Sequence, residues 1–192
     1  MKYETKSLMT KKALSASLKK LMEQKTLDKI SIREIIEDCG VNRKTFYYHF
    51  EDIYDLLKWI FEEEAIEIVK QYDLILNSKD AIRFVLDYVE ENKLICNCAF
   101  DALGRDELKR FFQKDFLAII DNLIKTVSEG YDVPEDYKEF LTNFYTEALA
   151  SQLIDYIRYR EKYTKEKMVL YITVTLKASI MKALEVAEKE LN

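Results

Sequence analysis

The sequence of 192 residues is poor in turn-forming residues, with only three glycines and one proline. A β-sheet protein of this length would need many more, because hairpins and strand ends depend on such residues at defined positions. Good helix formers fill most of the chain, and 48% of the residues are apolar, which is enough for a core. We therefore predict an all-α protein of about nine helices.

Long apolar runs and clustered metal ligands are also lacking. No stretch reaches the roughly 18 apolar residues of a membrane span, and the polar N-terminus leads into no secretory segment. Cys39, Cys96 and Cys98 are an odd number, so they form no disulfide framework. Residues two apart on a helix do not share a face, and no histidine or third cysteine lies near Cys96 and Cys98. We predict no metal, no cofactor and a cytoplasmic location.

Signs of catalysis are scarce. The chain has a single histidine, His49, and no Gly-rich phosphate loop, paired metal-ligand motif or Ser/Cys–His arrangement. We predict that the protein is not an enzyme, and an all-α enzyme remains as a remote alternative.

Charge is distributed unevenly along the chain. Residues 1–50 hold 11 Lys or Arg against 6 Asp or Glu, a net +5, whereas residues 51–192 hold 19 against 29, a net −10. This asymmetry indicates that the N-terminal quarter meets a polyanion and that the rest has another role. We predict two domains, residues 1–52 (the head) and residues 53–192 (the body).

Two short helices in the head carry strong boundary signals. Ser31 and Glu34 have the spacing of a capping box, which starts a helix. Gly40 can end that helix at positive φ, and Asn42 can cap the next one, which runs to about Phe50. Two short helices joined by a turn with Gly indicate a helix-turn-helix, and a plain αα-hairpin is the alternative.

The other helices follow from apolar periodicity and caps. The first helix should begin between Ser7 and Thr10 and end near Gln24. A helix capped by Asp52 should run to about Leu76. Further helices should span about 80–92, 94–103, 105–129, 135–160 and 164–191, with Thr164 as the cap of the last.

The helix after Asn42 has the residues that a DNA-reading helix needs. Arg43 and Lys44 can donate to guanine O6 and N7 in the major groove. Thr45, Tyr47 and His49 can hydrogen-bond to phosphate oxygens. Phe46 and Phe50 are four apart and can pack inward. Each residue alone also has a plain structural interpretation, but their combination behind Gly40 and Val41 favours DNA binding.

This stretch resembles the TetR family of regulators. The resemblance is carried by residues 10–14, 21–22, 30–36, 39–50 and 56–57, and above all by the Gly-Val-x-x-x-Thr-x-Tyr-x-His-Phe pattern of residues 40–50. Residues 50–54 and the C-terminal pattern are also similar to TetR-like activators of dihydroxyacetone kinase operons. The resemblance implies a homodimer that binds double-stranded DNA and responds to a small molecule, and such regulators are usually repressors. The resemblance and the helix-turn-helix motif together imply eight DNA-contacting residues. They are Arg33, Asn42, Arg43, Lys44, Thr45, Tyr47, Tyr48 and His49.

The chain departs from the family pattern at several positions. Thr26 stands where many members have Gly, and Ile36 where many have Ala. The fourth helix begins with Glu51-Asp52-Ile53-Tyr54-Asp55, where many members have a phosphate-binding Lys. Carboxylates here should weaken non-specific DNA affinity. An alternative is therefore a co-regulator or adaptor that needs a protein partner to act on DNA.

In the family, the C-terminal helices form a ligand pocket, and the last two helices build the dimer. For the pocket candidates and the dimer candidates alike, the alternative is that the side chains belong to the internal core. The candidate pocket residues are Tyr72, Tyr88, Phe100, Phe111, Phe112 and Tyr145. The candidate dimer residues are Leu149, Leu153, Ile157, Ile172, Leu176 and Ile180.

Overall fold

The computed structural model describes residues 2–191, which form eight helices and no strand. The head contains α1 (Lys2–Met22), α2 (Ile32–Cys39) and α3 (Arg43–His49). Helix α4 begins as Ile53–Phe61, continues as a π-helical segment (Glu62–Ile66) and ends as Glu67–Val69. The body continues with α5 (Leu74–Glu91), α6 (Lys93–Ser128), α7 (Glu135–Arg158) and α8 (Lys165–Glu190). Short 3-10 turns lie at Leu27–Lys29 and Arg160–Lys162. The predicted all-α class is confirmed.

The predicted boundaries were wrong in two places. Helix α1 already begins at Lys2, and α4 ends at Val69 instead of near Leu76. The chain turns at residues 70–73, where the Asp73 carboxylate accepts a hydrogen bond from the Leu76 N–H at 3.2 Å. Asp73 thus starts α5 within an apolar run that periodicity had assigned to the preceding helix.

Two predicted breaks are kinks inside helices. Asn77 departs from helical geometry within α5 (φ −117°, ψ 22°), and Gly104 does so within α6 (φ 72°, ψ 174°). The positive φ explains a glycine at residue 104, because other residues rarely adopt that conformation. If the kink in α6 is taken as a boundary, the described chain has nine helical segments.

The head packs around side chains that are fully removed from solvent. Leu14 and Leu18 of α1, Ile35 of α2 and Phe46 of α3 are all 0% exposed. The buried Ser17 hydroxyl donates to the Ile35 carbonyl at 3.0 Å, which ties α1 to α2. This packing fixes the orientation of α3 relative to the rest of the head.

The hydrophobic core continues from the head into the body. Leu56, Leu57 and Ile60 of α4 are 0% exposed and belong to the same cluster of buried side chains as Leu14 and Leu86. Helix α4 therefore packs on both parts of the molecule, and the boundary at residues 52 and 53 stays a prediction.

The body is a bundle in which α6 packs along α7 and α5 packs along α8. A second cluster of buried side chains joins α6, α7 and α8 around Ile124, Leu141 and Leu184. The predicted cap of α8 is confirmed, because Thr164 Oγ1 accepts from the Lys167 N–H at 3.4 Å. Among residues 2–191, no helix is long and apolar enough to cross a membrane.

Candidate nucleic-acid interface

The predicted capping box forms at the start of α2. Ser31 Oγ accepts from the Glu34 N–H at 3.4 Å, and the Glu34 carboxylate accepts from the Ser31 N–H at 3.0 Å. The Lys25 ammonium also donates to Glu34. These hydrogen bonds, from Lys25 first and from Ser31 second, lower the pKa of Glu34 to about 2. The carboxylate is therefore ionised at neutral pH and holds the helix start firmly.

The turn between α2 and α3 has the predicted geometry. Gly40 lies in the left-handed region (φ 70°, ψ 25°), and its N–H donates to the Ile36 carbonyl. Asn42 Oδ1 accepts from the Thr45 N–H at 2.8 Å and from Thr45 Oγ1 at 3.1 Å. The Asn42 carboxamide therefore caps α3 through its oxygen, and its NH₂ group remains a potential donor.

Helix α3 separates inner from outer side chains cleanly. Phe46 and Phe50 are buried (0% and 3% exposed) and pack against each other with ring centroids 6.0 Å apart. Arg43, Lys44 and Tyr47 are exposed, and Tyr48 is 78% exposed. The predicted reading residues therefore point away from the core. An exposed tyrosine pair beside two cations is unusual for a solvated surface, since aromatic side chains are more often buried.

The Arg43 side chain is held by its neighbour one turn later. Its Nη2 donates to Tyr47 Oη at 3.3 Å, and its guanidinium lies 5.6 Å from the centre of the Tyr47 ring. A guanidinium that already rests on a ring loses less conformational entropy when it binds. Arg43 and Tyr47 thus form one pre-arranged contact unit.

Arg33 lies on α2, also on the outer surface, with its side chain 80% exposed. Its Nε donates to Glu37 Oε1 at 2.7 Å. Its Nη groups can contact a phosphate or a base while Nε keeps this carboxylate, or the whole guanidinium can exchange the carboxylate for DNA. Exposed pairs of this kind contribute little stability, so the exchange costs little.

Two predicted phosphate-contacting side chains are half-buried at the rim of α3. Thr45 has the hydrogen bond to Asn42 described above, and His49 has a lowered pKa, mainly because of burial and also because Lys11 is near. A neutral imidazole still has one N–H donor for a phosphate oxygen.

Lys11 of α1 takes part in this surface, although the motif did not include it. Its ammonium lies 5.7 Å from the centre of the Phe50 ring and 5.5 Å from that of Trp59. Two cation–π contacts therefore fix a positive charge beside His49. The sequence signal was the run Lys11-Lys12 off the apolar face of α1, which is not specific.

The acidic entry to α4 has a structural role. Asp52 Oδ1 accepts from the Asp55 N–H at 2.8 Å, and Asp55 Oδ2 accepts from the Glu51 N–H at 3.0 Å. Both carboxylates satisfy backbone donors at the start of a helix, where negative charge is favourable. The residues that replace the family's lysine thus stabilise the junction between α3 and α4.

The six candidate pocket residues do not share one pocket, although Tyr88, Phe111 and Phe112 all pack against the Phe61 ring. The body contains a cavity of about 100 Å³ between α5, α6, α7 and α8, and none of the six lines it. Tyr88 and Phe112 line an adjacent cavity of about 50 Å³, and Tyr72 lines a surface groove. Phe100, Phe111 and Tyr145 border none of these three spaces. The cavity of about 100 Å³ is called the main cavity below. Among the described residues, its walls are aliphatic apart from Phe116, so the aromatic residues of the pocket prediction do not surround it.

The candidate dimer residues lie on the inward faces of α7 and α8. Ile157 and Ile180 are buried at 4% exposure, and Leu149, Leu153, Ile172 and Leu176 line the main cavity. The exposed apolar side chains of these two helices are not the candidate dimer residues. They are Phe140 and Phe144 on α7 and Leu170, Tyr171, Val174, Met181 and Val186 on α8. The predicted rows face the interior of the body, and both helices carry apolar side chains on two faces, so the residues that meet a partner stay a prediction.

A hydrogen-bonded chain joins the head to the body. Lys19 of α1 donates to the Glu64 carboxylate, and Tyr88 Oη of α5 donates to Glu64 Oε2 at 3.0 Å. Glu64 lies in the π-helical segment of α4. Burial and the neighbouring Glu64 charge raise the pKa of Tyr88, so the phenol stays protonated and keeps donating. The same Tyr88 ring lines the smaller cavity.

The cysteines show no sign of reactivity. Burial raises the pKa of Cys96 to about 12 and also raises the pKa of Cys98. Thiols that stay protonated at neutral pH are poor nucleophiles and poor metal ligands. Among the described residues, no group of three or more potential ligands could hold a metal ion.

Two known protein families together match most of the chain. Residues 15–60 match the family described as bacterial regulatory proteins of the tetR family, and residues 77–178 match the family described as a transcriptional regulator C-terminal region. Over 132 residues the chain is 26% identical to the HTH-type dhaKLM operon transcriptional activator DhaS of Lactococcus lactis subsp. lactis (strain IL1403), covering 69% of this chain and 67% of that protein. It is 23% identical over 142 residues to the HTH-type transcriptional regulator SAB2452 of Staphylococcus aureus (strain bovine RF122 / ET3-1), covering 70% and 72%.

Two solved structures have the same fold. The dihydroxyacetone kinase operon activator DhaS superposes with a TM-score of 0.68 at 21% identity, covering 94% of this chain and 98% of that one. A TetR transcriptional regulator from Streptococcus agalactiae 2603V superposes with a TM-score of 0.59 at 23% identity, covering 92% and 97%.

Proposed function

The chain belongs to the TetR family of bacterial transcriptional regulators, and we propose that it acts in the cytoplasm as a homodimer that reads specific double-stranded DNA and responds to a small molecule. The observation that carries this proposal is the outward row of Arg43, Lys44, Tyr47 and Tyr48 on a fully packed α3. Rigid presentation of cations and aromatic hydroxyls on a short helix suits insertion into a major groove.

The proposed contacts divide by chemistry. Arg43 and Lys44 donate to base edges, with guanine O6 and N7 as the natural acceptors. Arg33 reaches the groove from α2. The remaining side chains, which fix the position of the helix on phosphates and flanking bases, are Asn42, Thr45, Tyr47, Tyr48 and His49.

The proposed homodimer would cover exposed apolar surface on α7 and α8. Phe140 and Phe144 of α7 are 58% and 56% exposed, and Val174 and Met181 of α8 are each 56% exposed. Such rows on two neighbouring helices are typical of an interface between copies of one chain. A two-fold dimer would also set two heads about 34 Å apart, as successive major grooves require.

We propose that the effector binds in the body and acts through α4. A ligand shifts an equilibrium only if it binds one arrangement better than the other. The Tyr88–Glu64–Lys19 chain supplies a physical connection, because Tyr88 lines a cavity and Lys19 belongs to α1 of the head. The π-helical turn that holds Glu64 suits a change of register, since such turns occur often at functional sites.

Repression is the proposed sign of regulation, because a dimer bound over promoter DNA blocks transcription without any further contact. The lactococcal relative and one structural neighbour are named as activators, so activation is the competing outcome. A reporter gene behind the bound DNA, with and without the protein, measures the sign directly.

The acidic entry to α4 favours a second candidate, a co-regulator that binds DNA only with a protein partner. Glu51, Asp52 and Asp55 lie next to α3, where a phosphate-binding lysine would otherwise add affinity. Like charge between these carboxylates and DNA weakens binding most at low salt, where screening is weakest.

A salt series with purified protein separates the two candidates. Fluorescence anisotropy is measured on labelled DNA from upstream of the protein's own coding sequence, with an unrelated duplex of the same length as the control. Direct regulation predicts tighter binding to the upstream DNA, with log affinity that falls linearly as log salt rises. Equal and weak binding to both duplexes, even at low salt, would instead support the co-regulator.

A further inference from the structure

The main cavity of the body is almost wholly apolar. Seventeen side chains from α4 to α8 line its volume of about 100 Å³, and fifteen of them are apolar. The two polar ones are Ser78 and Gln152, and none of the lining side chains that the structure describes carries a charge. A carboxylate, a phosphate or an ammonium would therefore enter without a compensating partner, which is strongly unfavourable.

Ser78 is the exceptional residue of this cavity. Its side chain lies on α5 and is 6% exposed, yet its Oγ has no hydrogen-bond partner among the described residues. A helical serine ordinarily bonds to the carbonyl four residues earlier. The kink at Asn77 interrupts that geometry just before Ser78. Buried hydroxyls nearly always have a partner, so an unpaired one in a cavity wall indicates a missing ligand atom.

We propose that this cavity binds a small uncharged molecule with an apolar carbon skeleton and one hydroxyl or carbonyl oxygen, which pairs with Ser78 Oγ. The skeleton replaces water against the aliphatic walls, and the oxygen satisfies the serine. This inference rests on the proposed function, because it names the chemical class of the effector. Polyols are excluded by the same reasoning, since most of their hydroxyls would be buried without partners.

The size of the cavity limits the ligand to about the size of a single ring. The main cavity shares Val69, Val85, Phe116, Ile119 and Leu153 with the neighbouring cavity of about 50 Å³. Together they approach the roughly 150 Å³ that admits benzene into a protein core.

The cavity meets the surface at two edges. Gln152 is exposed and also belongs to the surface groove beside Phe140 and Phe144 on α7. At the other edge the cavity shares Val69, Leu74, Ile119 and Leu123 with the surface groove beside Tyr72.

The test uses phenol and benzene as matched probes, with dihydroxyacetone and glycerol as polar controls. Binding to the full-length protein is measured by titration with NMR detection, and thermal unfolding is recorded at saturating probe. We expect phenol to bind about two- to tenfold more tightly than benzene, because one net hydrogen bond to Ser78 separates them. Neither polyol should bind.

Two variants make the test specific to the cavity. Ser78→Ala should reduce phenol affinity to that of benzene, whereas Ser128→Ala, at an equally buried serine outside the cavity that donates to the Lys125 carbonyl, should leave the ratio unchanged. Ala81→Leu, which fills the cavity, should weaken both probes.

Equal affinities of phenol and benzene for the wild type would overturn the proposal, as would binding of a polyol or of none of the four probes. DNA binding is measured on the same samples. If the probes fail while the upstream DNA is still bound specifically, the effector class is wrong and the proposed DNA-binding function stands.

Discussion

One buried serine of the head and one of the body differ in their hydrogen bonding. Ser17 in the head is 2% exposed and donates to the Ile35 carbonyl at 3.0 Å, whereas Ser78 in the body is 6% exposed and has no partner among the described residues. The first hydroxyl joins α1 to α2 beneath the proposed DNA-reading surface. The second faces a cavity. A closely packed head and a body with unfilled space fit the proposed function, in which one part presents a surface to DNA and the other accepts a ligand.

The net charge also differs between the N-terminal part of the chain and the rest. Residues 1–50 carry a net +5, and residues 51–192 carry a net −10. Positive charge is concentrated where phosphates are expected, and the acidic body is repelled from DNA. The following substitutions test this contrast in order of decreasing effect.

The largest difference in the free energy of unfolding is expected between alanine variants of two phenylalanines. Phe46→Ala should reduce the free energy of unfolding by about 3–5 kcal/mol, because a fully buried ring in a packed core leaves a cavity. Phe116→Ala, at a half-buried ring that already borders empty space, should cost roughly half as much. Chemical denaturation of both variants measures the two losses. Equal losses would show that the body is packed as tightly as the head.

The two serines should respond differently to the same change. Ser17→Ala should destabilise the protein by about 1–3 kcal/mol, because the buried Ile35 carbonyl loses a donor. Ser78→Ala should be neutral or slightly stabilising, since no hydrogen bond is lost and α5 gains a better helix former. Denaturant midpoints decide between these outcomes. A marked loss of stability in Ser78→Ala would mean that its hydroxyl is already satisfied.

Two helix caps offer a smaller and more local comparison. Ser31→Ala and Thr164→Ala remove acceptors that each lie 3.4 Å from a backbone N–H, and each should cost about 1 kcal/mol. Only the Ser31 variant should also weaken DNA binding, because α2 supports α3. If Thr164→Ala weakens DNA binding equally, the two parts are coupled more strongly than the comparison implies.

The smallest effect concerns pH. Folding lowers the pKa of Glu34 from its ordinary value near 4.5 to about 2. The stabilisation by this carboxylate is therefore complete above about pH 4.5 and disappears as the pH falls towards 2. Glu34→Gln keeps an acceptor for Ser31 but has no proton to bind, so its unfolding free energy should lack this component. The difference in unfolding free energy between wild type and variant should shrink as the pH falls from about 4.5 towards 2. A difference that stays constant with pH would assign the effect to packing.

Local signals made much of the head predictable. The capping box at Ser31, the positive φ of Gly40 and the cap at Asn42 each depend on a few neighbouring residues, so the sequence contains all the necessary information. The end of α4 was missed, because Asp73 starts a new helix inside an apolar run. The pairing of Lys11 with Phe50 and Trp59 joins residues far apart in sequence, and no local pattern announces it.

The body was harder to predict, because its helices carry apolar side chains on more than one face. On α7, Phe140 and Phe144 face outward while Leu149 and Leu153 line the cavity. Periodicity identifies both rows but cannot say which one meets the protein's own core. Aromatic residues were expected to line a pocket, yet most of them fill the core, and an unpaired hydroxyl is visible only in three dimensions.

The affinity of Arg43→Ala for the DNA site that the wild type binds most tightly tests the central proposal most directly. That site is first selected from a random pool, and Arg110→Ala, an exposed arginine of the body paired with Glu107, is the matched control. We predict that Arg43→Ala loses about 1–3 kcal/mol of binding free energy and becomes tolerant of substitution at one base position in each half-site, while Arg110→Ala binds as the wild type does. Unchanged affinity and unchanged base preference in Arg43→Ala would contradict the assignment of α3 as the DNA-reading helix.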